Sequence, residues 1–351
     1  QVLGAVFSNN INVIKYISYM ALSMCLSQSF SGAIFNKLPI RFAGFSVILF
    51  GTMLFLMKYM VCTTSFSILS ILIGISSSVF MLIGANVASD IFTVDMGLFY
   101  GYILFLAVKT SSICRLIFVY QYNLFHIFYI LLGFMVLFFF GRKNNNIENN
   151  SESKVPNNDN LLLQALSIKN ILFALSSGLV CILYYFLQIR RLQVLGDLQF
   201  GSGTGNVFLF ILEQCFALGL IVIPVLFNIL GIYNAQILCS ALGIIGGLLL
   251  FTKSFVLYII SIIFICLAGT AHMLPQIFAG KYYVQNVTFF VGFFNVIAMF
   301  IGRFGGQFFG NILINKGQVT DILNVIKIFL IPSIIAFIIH ITLYYKYKNK
   351  S

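Results

Sequence analysis

The sequence has 351 residues, of which 60% are hydrophobic and only 8% charged, with a formal net charge of +12. A soluble globular chain carries about a quarter charged residues. So few charges exclude a water-covered surface over most of this chain and make lipid its solvent, and the positive excess, spread over short loops and the C-terminus, fits cytoplasmic loops better than a nucleic-acid face.

Taken in order, residues 1–11 are apolar but too short to cross hydrocarbon, and read as the remnant of a first helix. Full spans follow at about 12–34, 42–61, 65–88, 96–120 and 124–140, each near the ~20 residues a crossing helix needs. At 142–165 the composition turns to Asn, Ser, Glu and Lys, the signature of a polar linker. Six more spans lie near 171–187, 206–229, 235–251, 255–279, 287–313 and 322–344. The chain is thus expected to be an all-α polytopic membrane protein. Its parts are an N-terminal bundle (1–141, the remnant of helix 1 and helices 2–6), a linker (142–165) and a C-terminal bundle (166–351, helices 7–12).

With the linker and C-terminus placed in the cytoplasm, ten Lys and Arg lie on that side and five on the other, or seven when Lys15 and Lys327 are included; the bias favours that orientation. There is no Trp among 40 Phe and 17 Tyr, so Tyr must serve as the interfacial aromatic. The Phe, Ile and Asn bias is that of an AT-rich genome, and points to a plasma or organellar membrane of a eukaryote. The seven cysteines show no CxxC spacing and read as small apolar helix residues, so no metal and no cofactor is implied. Gly201-Ser202-Gly203-Thr204-Gly205 has the glycines of a phosphate loop without its Lys-Ser/Thr or a preceding strand, and reads as a connecting loop.

One polar hinge stands out between two apolar runs: Gly32-x-Ile34-x-Asn36-Lys37-x-Pro39-x-Arg41. It resembles a degenerate form of the loop motif G-x-L-x-D-R-x-G-R-R of the major facilitator superfamily, found there between helices two and three. The Gly, the aliphatic residue, the first basic residue and the final Arg are kept; Asn36 replaces the Asp, Pro39 the inner Gly and Ile40 one Arg. A weaker echo, Phe227-Asn228-Ile229-Leu230-Gly231-Ile232, follows the helix that would be number eight. The resemblance implies two six-helix bundles, secondary transport by alternating access, and a gating loop at Gly32, Asn36, Lys37 and Arg41. Asn36 would make that latch weaker than an Asp would. The stretch 274–283 with Gly302-Arg303-Phe304-Gly305-Gly306 resembles the organic-anion and monocarboxylate branch. The region 70–120 resembles a branch that regulates or chaperones other membrane proteins. The branch stays open.

Ionisable residues inside spans are costly and mark function by default. Arg303 is suited to clamp a carboxylate or phosphate. Reckoned at 100° per residue, Asn295 and Gln307 fall near its face, and Lys109 lies deep in the fifth helix. These four are the expected substrate-binding residues. Glu213, the only acid well inside a span, and His272 are the expected proton-coupling pair; for His272 a hydrogen-bonded core role is the bland alternative, and His340 reads as bland. Gly97/Gly101 and Gly306/Gly310 are spaced for close helix packing. Three interior cations, Lys109, Arg115 and Arg303, against one acid favour an anionic or zwitterionic solute. The expected protein is therefore a monomeric transport unit, not an enzyme, whose partners are a small solute, protons and the bilayer. The alternative is a non-transporting regulator of the same fold.

Overall fold

The computed structural model describes residues 159–188, 191–283, 286–314 and 319–347 as continuous stretches. It also describes 41–57, 59, 63–91, 122–141 and scattered helical residues within 16–27 and 101–109. Gly32, Asn36, Lys37, Gly97 and Arg115 lie outside the described residues, and Arg41 is described only as the first residue of a helix.

The described residues are helical throughout their ordered elements. These are α1 (Arg41–Met57), α2 (Thr63–Ile91), α3 (Tyr122–Gly141), α4 (Asp159–Ala165), α5 (Ile168–Leu187), α6 (Arg191–Phe200), α7 (Thr204–Leu230) and α8 (Ile232–Leu249). Then come α9 (Phe255–Gly269), a 3-10 turn (Thr270–His272), α10 (Met273–Tyr282), α11 (Val287–Met299), a π-helical stretch (Phe300–Phe309), α12 (Gly310–Leu313) and α13 (Val319–Tyr347). Six of the described helical runs are long and apolar enough to cross a membrane, all beyond residue 167. Their limits fall within a few residues of the expected spans. Two helices come as additions: α4 lies inside the expected linker, and α6 lies between the expected spans at 171–187 and 206–229.

By packing, the chain divides into two compact units: 1–93, 107–167 and 284–296 in the first, and 94–106, 168–283 and 297–351 in the second. This differs from the expected bundle limits. Gly101 explains one exchange, because it rests against Leu220 and Pro224 of α7 and so belongs with the second unit.

In the first unit α1 and α3 approach through glycines. A Cβ at Gly44 would meet the Gly133 carbonyl, and one at Gly51 the His126 carbonyl, so the two backbones come closer than larger residues permit. Leu54, Met57, Leu69 and Ile73 form a buried cluster beside them, with Phe50, Phe66 and Tyr129 packed on it.

The second unit buries some polar groups among its apolar core and exposes large apolar side chains on its surface. Ile229 and Ile331 are exposed, at 73% and 56%, while Gln236, Ser240 and His340 are fully buried. In lipid this is the favourable arrangement, since polar groups find partners only inside. Helix α5 is its centre, with Phe173, Leu183, Tyr184 and Phe186 buried. Gly302 and Gly306 bring the π stretch against the α5 backbone at Gly178 and Ile182, Gly178 lies against the Ala298 backbone, and Gly310 makes room for the Phe186 ring, the close packing expected for the glycine pair at 306 and 310. The echo of the hinge proves to be a tight helix-to-helix turn. Gly231 at φ 77° donates its N–H to the Phe227 carbonyl at 2.9 Å, a backbone setting that a side chain would strain.

Candidate functional site

Three of the expected site residues, Glu213 (α7), His272 (3-10 turn) and Arg303 (π stretch), belong to the second unit. In the same unit Tyr184, on α5, is buried. Opposite charges thus stand on two helices of one unit. Both charged residues are half-buried, and Arg303 Nε makes no hydrogen bond within the described residues.

The rings form a wall. Phe216 of α7 stacks on Tyr184 at 4.5 Å between centroids and 9° between planes, and faces His272 at 6.2 Å and 11°. Tyr185 lies 6.4 Å from the His272 ring and sets its hydroxyl 3.3 Å from Met299 Sδ. Gly269 lies beneath Tyr184, where a Cβ would strike the ring. The absence of a side chain at 269 is what lets the wall sit against the helix break.

The break itself comes from local chemistry. Pro275 has no N–H to continue the ladder, and just before it Thr270–His272 tightens into a 3-10 turn. There His272 Nδ1 lies 2.9 Å from the Gly269 carbonyl. A carbonyl can only accept, so the proton sits on Nδ1 and Nε2 is the ring's variable position. Cys181 Sγ reaches the same carbonyl at 3.4 Å. The core reading of His272 therefore has its hydrogen bond, while its ring remains part of the wall.

Arg303 stands in a helix of altered period. Phe300–Phe309 is π-helical, a rare form that occurs frequently at functional sites. Its Phe300, Phe304 and Phe308 rings stack in a ladder at 5.0 and 4.7 Å. The 100° reckoning that set Asn295, Arg303 and Gln307 on one face does not hold past Met299. Gln307 is buried, at 2% exposure, with its Oε1 making no hydrogen bond among the described residues. Asn295 is fully buried on α11, and Lys109 is a half-buried helical residue; both belong to the first unit.

A second polar group joins α5, α8 and α13. Gln236 Nε2 donates to Ser177 Oγ at 2.8 Å, Ser240 Oγ donates to the Gln236 carbonyl at 2.8 Å, and Ser240 Oγ lies 2.6 Å from His340 Nδ1. With the serine proton spent on the carbonyl, Nδ1 must be the donor to Ser240. His340, expected to be bland, ties two helices 100 residues apart.

At the opposite end of α5, Arg191 donates to the Phe186 carbonyl at 2.7 Å and lies 4.5 Å from the centroid of the Phe186 ring. Burial pushes its guanidinium down to about 10, still far enough above neutrality to leave it charged. It caps the last carbonyls of the helix, where a cation suits the dipole. The Gly201–Gly205 stretch is a connecting turn, closed by Asp197 Oδ1, which accepts the N–H groups of Gly203 and Gly205 at 2.8 and 2.9 Å.

No family model and no curated protein matches this sequence. Solved structures do. The chain is similar to a bacterial homologue of the iron transporter ferroportin in its outward-facing state, at 14% identity and TM-score 0.67, covering 97% of this chain and 93% of that one. It is similar to the nucleoside transporter NupG, at 13% identity and TM-score 0.65, covering 98% and 94%. It is also similar to the human organic anion transporter MFSD10, at 14% identity and TM-score 0.59, covering 95% and 83%. At these identities the likeness is one of fold, over nearly the whole chain.

Proposed function

We propose that this chain, an integral multi-pass protein with the major facilitator fold, is a secondary transporter of a small solute. The reading rests first on the wall of Tyr184, Phe216 and His272, in the same unit as half-buried Glu213 and Arg303. An acid and a cation on different helices of that unit suit a zwitterionic solute, with Arg303 taking its carboxylate. Gln307 adds a buried amide one turn on. Lys109 and Asn295 are proposed as substrate-binding on their sequence positions alone. The solved neighbours, described as transporters of iron, nucleosides and organic anions, support transport as the activity and leave the solute to the side chains.

Glu213 is the proposed proton carrier, exchanging its proton as the solute binds and leaves. The helix break at Thr270–His272 and the π stretch beside it are the irregular backbone that transporters of this kind use near their sites. Uptake into proteoliposomes tests both parts. Zwitterionic and anionic amino or carboxylic acids should accumulate under an inward proton gradient, and cations should not. Glu213→Gln should abolish gradient-driven accumulation and leave solute exchange across the membrane intact. Strictly cationic uptake, unaffected by Arg303→Ala, would overturn the solute class.

A further inference from the structure

One end of the second unit gathers cations and rings. Lys169 Nζ lies over three of them: Tyr347 at 5.1 Å, Phe278 at 5.4 Å and Tyr233 at 6.0 Å. Lys346 shares the Tyr347 ring at 5.7 Å. Lys281 lies over Phe227 at 5.4 Å and Tyr282 at 5.9 Å. Asn170 donates to the Tyr283 hydroxyl at 2.9 Å and ties the same helix ends together.

The charges at this end are unbalanced. The second unit's acids among the described residues are Asp197, Glu213 and Asp321. Asp197 precedes α7, Glu213 lies in its first half, and Asp321 is in the first turn of α13. Their helices run from the far end toward the lysines, so all three lie nearer the far end. Lys281 and Lys346 occupy the last turns of their helices, where the dipole favours a cation. Lys169 does not: it is the second residue of α5, where the dipole favours an anion. Three rings from α8, α10 and α13 hold an ammonium in a position its own helix disfavours. Cation–π contact explains how it is tolerated; it does not neutralise the charge.

We infer that this end binds the phosphate headgroup of an anionic phospholipid, with Lys169, Lys281 and Lys346 as its cationic contacts. The observations favour a lipid over a soluble anion. The lysines sit at the ends of membrane-crossing helices among tyrosines, the residues of the headgroup level. Exposed Ile168 precedes Lys169, and exposed Ile229 lies two residues after Phe227, the ring under Lys281; both are 73% accessible and suit acyl chains. A basic pocket between crossing helices is a recognised headgroup site, and each lysine near a charged surface contributes about fivefold in affinity.

The test is native mass spectrometry of the full chain in mixed micelles of phosphatidylglycerol and phosphatidylcholine with identical acyl chains. The wild type should retain phosphatidylglycerol preferentially. Lys346→Gln, at an exposed residue whose loss leaves the fold alone, should lower that retention about fivefold. Lys169→Gln/Lys281→Gln/Lys346→Gln should erase the preference, and Lys253→Gln at the other end should leave it unchanged. Equal retention of the two lipids, an equal loss from Lys253→Gln, or displacement by excess inorganic phosphate would overturn the inference.

Discussion

Gly306 meets the Ile182 carbonyl so closely that no Cβ fits between them. Its neighbour Gly305 has Ile182 side-chain atoms no nearer than 3.5 Å, which is ordinary contact. Gly306→Ala should therefore force α5 and the π stretch apart, at about 1–3 kcal/mol for overpacking. Gly305→Ala should be nearly silent. Thermal unfolding in detergent separates them: a Tm lowered by several degrees for the first only. Equal Tm values would mean that the contact is not close.

The Ser240–His340 pair predicts non-additivity. Ser240→Ala leaves His340 Nδ1 buried without its acceptor, at about 1–3 kcal/mol, while His340→Leu takes from Ser240 only the bond it accepts, its own proton staying on the Gln236 carbonyl. Ser240→Ala and His340→Leu should each destabilise, and the double variant should lose less than their sum. A double-mutant cycle on Tm gives the coupling, and simple additivity would show that the two residues stand independently.

Arg303→Ala should weaken solute binding about tenfold or more, the worth of a charged hydrogen bond. Arg303→Lys should recover part of it, because charge returns without the planar fork. The readout is KM for uptake, with Tm held close to wild type. If KM stays constant across both variants, Arg303 lies away from the solute.

Asp197→Ala should loosen the turn before α7 at a cost of about 1 kcal/mol, like the loss of a helix cap. Asp197→Asn keeps the accepting oxygen and should be close to neutral. Limited proteolysis at Gly201–Gly203 reads this directly, with faster cleavage for the alanine variant alone. Equal cleavage of both variants would assign the role to the charge.

The spans of the second half were legible because an apolar run of about 20 residues states its own function. The starts at Ile168 and Ile232 lie three residues from the expected positions 171 and 235. Helix α6 was not legible. Its ten residues mix Arg191, Gln193 and Asp197 with a few leucines, and their order comes from Arg191 and Asp197 fastening both of its ends. Of the site, Glu213, His272 and Arg303 could be named because charge and imidazole are rare in lipid. Tyr184 and Phe216 could not, since 40 Phe and 17 Tyr offer no way to choose two rings that stack. The Ser240–His340 tie was hidden by separation along the chain, and the π stretch by glycines that announce close packing and say nothing of helical period.

Two neighbouring crossings depart from the regular helix in opposite senses. The 3-10 turn at Thr270–His272 rises about 2.0 Å per residue against about 1.5 Å in an α-helix, so it lengthens its crossing by roughly 1.5 Å. The π stretch at Phe300–Phe309 closes each hydrogen bond one residue later than an α-helix does and is wider for it. One crossing is drawn out and the other slackened, each beside the same Tyr184–His272 wall. The lengths of these two crossings are therefore not dictated by their residue numbers. Tight and loose turns let the residue number and the length of a crossing vary apart while every residue stays in a helix.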